Sequence, residues 1–242
     1  MKLIRITAFI TFLIVLTSCE TLNQAGQILT QGSNPTPSEI AMGLKQALEF
    51  GTAYSSERLS ARDGFFGNAA VRILFPEEAQ KVERTLRSIG LNKLADDVIL
   101  SINRAAESAA AEARPIFVSA IRQMSFSDAS RILLSGQEDA ATEYFRRVTS
   151  AQLSAKFRPV IESSLNKVGA TRYWSDAISR YNQIPLVADI NPDLSDYVTR
   201  KAIDGLFHEI AQEELRIRTN LAARNTALLQ RVFGYADRNR GG

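Results

Sequence analysis

Wound as a helix, the segment ADDVILSINRAAESAAAEAR, Ala95 to Arg114, divides into a mostly polar and an apolar face. Advancing about 100° per residue from Asn103, the polar set Asn103, Arg104, Glu107, Ser108, Glu112 and Arg114 falls between about 0° and 180°. Ala95, Val98, Ile99, Ile102, Ala105, Ala106, Ala109, Ala110 and Ala113 fall between about 200° and 340°. Alanines have no bulk to hold a neighbour away, so this face calls for another helix packed closely against it. Pro115 is expected to end or kink the helix, with Ile116, Phe117 and Ile121 continuing as another.

The same period recurs along the chain. EIAMGLKQALEFG sets Ile40, Leu44, Ala47 and Leu48 on one face and meets Gly51 near an expected break. Thr36-Pro37-Ser38-Glu39 in front of it is a capping box with proline at the first helical position. PEEAQKVERTLRSIG opens on Pro76 and two acids and stops at Gly90, a natural C-cap. Ser125 and Asp128 make a second capping box before Ile132, Leu133 and Leu134, closed by Gly136. QEDAATEYFRRV spaces Ala140, Ala141, Tyr144, Phe145 and Val148 as a helix. TSAQLSAKFRPVIESSLNKVG reads as another, interrupted at Pro159. ATRYWSDAISRYNQIP carries the only tryptophan, Trp174, and ends before Pro185. After a Pro- and Asp-containing turn, Leu194, Tyr197, Val198, Ala202, Leu206, Phe207 and Ile210 form a last long stripe, and TALLQRVFG closes the domain. Only Val71-Arg72-Ile73-Leu74-Phe75 has strand character, and no second strand candidate exists to pair with it. A short helix or an extended connector is the favoured reading there. The expected architecture is all-α: a single multi-helix domain of about eight to ten helices over residues 36–234.

The N-terminal stretch is of another kind. Lys2 and Arg5 precede an almost wholly apolar run from Ile6 to Leu16. That run is shorter than the roughly 20 residues a membrane-spanning helix needs. A positive start, a short apolar core and a small-residue exit describe a signal peptide. The exit, Leu16-Thr17-Ser18-Cys19, has the form of a bacterial lipobox: a branched apolar residue, two small ones, then the thiol that takes a diacylglycerol. Residues 1–18 are therefore expected to be a lipoprotein signal peptide, cleaved between Ser18 and Cys19, with Cys19 lipidated and the domain held at a membrane of the cell envelope. Residues 19–35, rich in Gln, Asn, Ser, Thr, Gly and Pro, are expected to be a flexible linker. Residues 235–242, with Arg238 and Arg240, read as a disordered tail.

Cys19 is the only cysteine, so no disulfide can staple the domain, but about 224 residues remain after cleavage to build a core by packing. Removing Lys2 and Arg5 leaves 27 basic residues against 26 acidic ones. Such a balance offers no electrostatic footprint for nucleic acid.

Chemistry-bearing motifs are few. His208 is the only histidine, four residues after Asp204, which is within reach to orient it as a general base. A surface histidine with a helical neighbour is the plainer reading, and it is the one favoured. Zinc sites need several Cys or His ligands. Di-iron bundles need Glu-x-x-His pairs, and neither pattern is present, so no metal or cofactor is expected. Gly-rich phosphate loops and nucleophile elbows are likewise missing. Glu107 and Glu112 fall on the solvated arc. Glu138, Asp139 and Glu143 read as surface charges, Glu143 pairing with Arg147. Asn103, Glu107 and Arg114, at the edge of the polar arc, are the one cluster placed to bond another helix or line a groove. Inter-helix bonding is preferred of the two.

GLKQALEFG, NRAAESA, FSDASRILLSG, AATEYF, DYVTRKAIDGLF and LLQRVFG occur in that order. As an ordered set they resemble an uncharacterised family of exported bacterial proteins, catalogued only as a domain of unknown function, across residues from about 40 to 234. The resemblance implies an all-α envelope protein and transfers no functional residue. Three roles fit the chain. The first is a lipid-tethered, non-enzymatic module that binds an envelope protein or component. The second is a carrier of an apolar ligand between helices, and the third a hydrolase using carboxylates or His208. The scarcity of chemical motifs favours the first.

Overall fold

The structure, a computed structural model, describes residues 34–181 and 193–239. The expected signal peptide with Ser18 and Cys19, the expected linker up to residue 33, residues 182–192 and residues 240–242 lie outside the described residues. Within them the fold is all-α, and no strand forms.

Helix α1 spans Pro37–Ser60. The Glu39 N–H donates to Thr36 Oγ1 at 3.2 Å, and the Thr36 N–H donates to Glu39 Oε2 at 2.7 Å, which is the expected capping box. No break occurs at Gly51: the helix runs through it. A mid-helix glycine costs about 1 kcal/mol against alanine, but Gly51 lies buried against a later helix, and packing holds the helix together. Four residues apart, Gly43, Ala47, Gly51 and Ser55 give α1 a thin buried edge. A Cβ on Gly43 would meet Val232 at 2.8 Å, so the C-terminal helix crosses there almost on the backbone.

A connector (residues 61–76) and a short 3-10 turn, Glu77–Ala79, lead to α2, Gln80–Ser88. Gly90, at φ +83°, terminates α2 as expected. The Leu91 N–H reaches back to the Leu86 carbonyl at 2.8 Å and the Gly90 N–H to Arg87 at 3.1 Å, a Schellman closure. Helix α3 spans Asn92–Ala110 and α4 spans Ala113–Gln123. The division therefore falls at Ala111 and Glu112, ahead of Pro115. Proline lacks an N–H for the Ala111 carbonyl and its ring crowds that carbonyl, so the chain turns before it, and Pro115 sits in the first turn of the next helix.

Helix α5, Phe126–Leu134, starts at the second expected box, with the Asp128 N–H donating to Ser125 Oγ at 3.0 Å. Helix α6 then runs without interruption over Ala140–Lys167. This joins what the sequence suggested were two helices, and Pro159 lies inside it. Leu153, Phe157, Ile161 and Leu165 are fully buried at four-residue spacing, while Pro159 and Ala155, whose carbonyl loses its donor, face solvent. Water can satisfy that carbonyl while packing carries the helix through. Val148, at helical spacing with the apolar Ala141 and Phe145, is exposed. Helix α7 spans Ala170–Tyr181, with Trp174 buried and tilted against Phe75 at 6.0 Å. Helix α8 is Leu194–Thr219, and α9 is Ala227–Asn239. The final helix overruns the expected boundary at 234. Ala236 is fully buried and Asp237 pairs with Arg224, so residues 235–239 belong to the domain rather than to a tail.

One contiguous core joins these helices. Helix α1 packs against α3, α4, α5, α8 and α9, while α6 packs along α3 and α8. Phe117 of α4 meets Phe145 of α6 and Phe207 of α8 edge-on, at 5.3 and 6.3 Å. The alanine face of α3 is buried as the wheel required.

Candidate binding cleft

The connector after α1 is irregular, and side chains of α3 and α8 anchor it. Two carboxylates and an amide fix it. Glu107 Oε1 accepts from the Phe65 and Phe66 N–H groups, both at 3.2 Å, and Glu107 Oε2 takes Arg104 at 2.6 Å. Arg104 continues to Asp63 at 2.7 Å, and its guanidinium pKa is raised, first by the Glu107 bond. Asn103 Oδ1 accepts from the Ile73 N–H at 2.9 Å, while Asn103 Nδ2 donates to the Ile73 carbonyl at 2.7 Å. Glu209 of α8 accepts from Asn68 at 2.8 Å and pairs with Arg58 at 3.0 Å. A Cβ on Gly205 would meet the Phe65 ring at 2.8 Å, so the connector seats directly on α8.

This corrects the facing of two residues. Asn103 is fully buried and Glu107 is 5 % exposed, although the helical wheel set both on the polar arc. The connector lies over that edge of α3, and its backbone amides need acceptors once they leave water. Arg114 is not part of the group: it lies on α4, past the turn, and is exposed. Asn103 and Glu107 thus bond connector backbone rather than another helix. Glu112 is exposed as expected.

Between the anchored connector and α8 opens a cleft of about 950 Å³. One wall is residues 70–77, and the other is Tyr197, Arg200, Lys201, Asp204 and His208. Along the first wall burial alternates: Val71, Ile73 and Phe75 are buried, and Arg72 and Leu74 are exposed. That is the period of a strand, here a lone extended segment laid on helices. Tyr197 Oη donates to the Leu74 carbonyl across the cleft at 3.0 Å. Arg72 stacks over Phe66 at 4.2 Å. Arg200 pairs with Asp196 at 3.1 Å, and Lys201 has no carboxylate partner among the described residues.

His208 is exposed and lines this cleft with Asp204. Asp204 lies 3.5 Å from Arg146, which stacks over Phe207, so its charge is drawn toward α6. Glu138 and Asp139 are exposed, and Glu143 faces Arg146 at 3.4 Å rather than Arg147. Among the described residues no three His, Cys, Asp or Glu side chains converge as metal ligands, and no helix is long and apolar enough to cross a membrane. A hollow bordered by Leu44, Leu48, Ile210, Ile217 and Phe233 encloses about 20 Å³. That is room for one water, whereas ligand pockets run to roughly 300–1,000 Å³.

Three other buried charges hold helix ends. Glu214 of α8 accepts from the Ala141 and Thr142 N–H groups at 2.9 and 2.8 Å, at the N-terminus of α6. Its partner Arg218, at 2.7 Å, donates to the Ile132 carbonyl at the C-terminus of α5 at 3.0 Å. An acid at one helix start and a base at another helix end both suit the backbone dipoles. Arg224 does the same for α8, donating to the Ile217 and Arg218 carbonyls at 3.0 and 2.7 Å while paired with Asp237. Glu213 and Glu214 lie three and four residues after Ile210 and precede Ile217. They therefore sit in the apolar stripe itself, a signal of buried acids that the sequence reading passed over.

No curated protein matches the chain, and no solved structure does. Residues 34–234 match a family described as protein of unknown function (DUF4197), and the chain belongs to that family.

Proposed function

We propose that the chain is an exported lipoprotein of the bacterial envelope, lipidated at Cys19, whose helical domain acts by binding an envelope protein or component. The observation that carries the reading is how the polar groups are spent. Asn103, Glu107 and Glu209 hold an irregular connector rigidly beside α8, and the result is an open cleft of about 950 Å³. A binding module needs such a preorganised surface and a tether that raises its local concentration at the membrane. Leu16-Thr17-Ser18-Cys19 and the polar linker supply the tether in this reading.

Mass spectrometry of the mature N-terminus tests the anchor: an acylated Cys19 is expected, and an unmodified peptide running through Cys19 contradicts it. In a deletion strain, Cys19→Ala should fail to complement, while His208→Ala should complement fully. The hydrolase reading draws on His208 and Asp204 lining the same cleft. It becomes the better one if His208→Ala, folded and anchored, abolishes complementation.

A further inference from the structure

We infer that the cleft takes an extended peptide, added as a parallel strand to the outer edge of residues 72–74. The inference rests on the binding-module reading and names its ligand class. In an extended chain the N–H and C=O of one residue point to one edge, and those of its neighbours point to the other. Ile73 turns its pair inward, where Asn103 satisfies both groups. The edge facing α8 belongs to Arg72 and Leu74. There the Arg72 N–H is taken by the Asn68 carbonyl and the Leu74 carbonyl by Tyr197 Oη. Among the described residues, nothing donates to the Arg72 carbonyl and nothing accepts from the Leu74 N–H.

Those two groups flank Ile73. They are the acceptor and donor that a single residue of a parallel strand engages, its N–H to Arg72 and its C=O to Leu74. An antiparallel partner would need both groups of Arg72 or both of Leu74, and one of each is already spent. The parallel register is therefore the open one, and backbone pairing of this kind is an established way to recognise peptides. One cation on each wall gives the side-chain preference. Lys201 has no carboxylate partner among the described residues, and Arg72 sits over an aromatic face rather than an acid. An acidic side chain in the bound peptide complements them.

The test pans a phage-displayed library of random peptides, about eight residues long, against the mature chain. Enriched peptides should carry β-branched residues around an acid. They should also slow amide exchange at Leu74, and N-methylation of the central residue should weaken them about ten-fold or more. Leu74→Pro is the decisive variant. It removes an N–H that the fold does not use, at an exposed extended position, so the protein should melt as the wild type does and lose the peptides. Leu74→Ala should keep them. Should Leu74→Pro fail to fold, Lys201→Glu and the N-methylated peptides carry the same comparison. Peptides that bind Leu74→Pro or their N-methylated forms equally well, or a library that yields no selective enrichment, would overturn the inference. So would sedimentation showing a dimer that Leu74→Pro dissolves, since the edge would then belong to a second copy. None of these outcomes touches the anchor or the complementation results.

Discussion

Glu107 accepts from two backbone amides and one guanidinium at a site 5 % exposed. Removing it strands the buried Phe65 N–H and the half-buried Phe66 N–H and frees Arg104. Glu107→Ala should therefore cost about 3 kcal/mol, read as a shift in denaturant midpoint. Asn103→Ala should cost about 2 kcal/mol, since both Ile73 backbone groups lose their partner. Ala106→Glu places a charge on a fully buried face and should be severely destabilising, whereas exposed Glu112→Ala should change stability by less than about 0.5 kcal/mol. Comparable losses at Glu107 and Glu112 would contradict the facing described. The sequence brought Asn103 and Glu107 only to the border of the polar arc. What pulls them inside is the backbone of a connector, 30 residues before Asn103 and 41–42 before Glu107. No periodicity within α3 encodes that partner.

Among the elements, local signals are legible in the chain and long-range ones are not. The capping boxes at Thr36 and Ser125 and the stop at Gly90 depend on residues within one turn of the helix end, and the chain states them directly. Continuity through Gly51 and Pro159 depends on what packs against those helices, and propensity alone suggested breaks. The boxes also set a pH response. The Thr36 N–H and hydroxyl hold Glu39 below its ordinary value of 4.5, and the Ser125 hydroxyl holds Asp128 below 3.8. Both folded values are depressed. Their contribution is therefore complete above the ordinary values and is lost as pH falls through the lowered ones. Thr36→Ala and Ser125→Ala should each cost about 1 kcal/mol at neutral pH. The gap to wild type should narrow as the buffer is taken below about pH 4. A gap constant down to about pH 2 would show that the carboxylates are not the stabilising partners. Glu214 acts between elements, joining the start of α6 to the end of α5 through Arg218. Glu214→Ala leaves Arg218 buried without its counter-charge and should cost about 3–5 kcal/mol in thermal or denaturant unfolding.

For the whole molecule, the all-α class followed from periodicity, and the capped start of the first described helix at Thr36 from its local motif. The cleft did not, because it is made by a connector without helical period meeting the exposed side of α8. Tyr197 and Lys201 lie one turn apart on the same side of α8, and only the fold sets Leu74 across from them. The central claim is that this cleft engages a partner at the envelope. A photocrosslinking amino acid at position 201 tests it most directly, with position 112 on the exposed turn between α3 and α4 as the comparison. In cells, irradiation should give an adduct of discrete mass from position 201 and none from position 112. Equal labelling at the two positions, or no adduct from position 201 in an anchored and folded protein, would contradict the account.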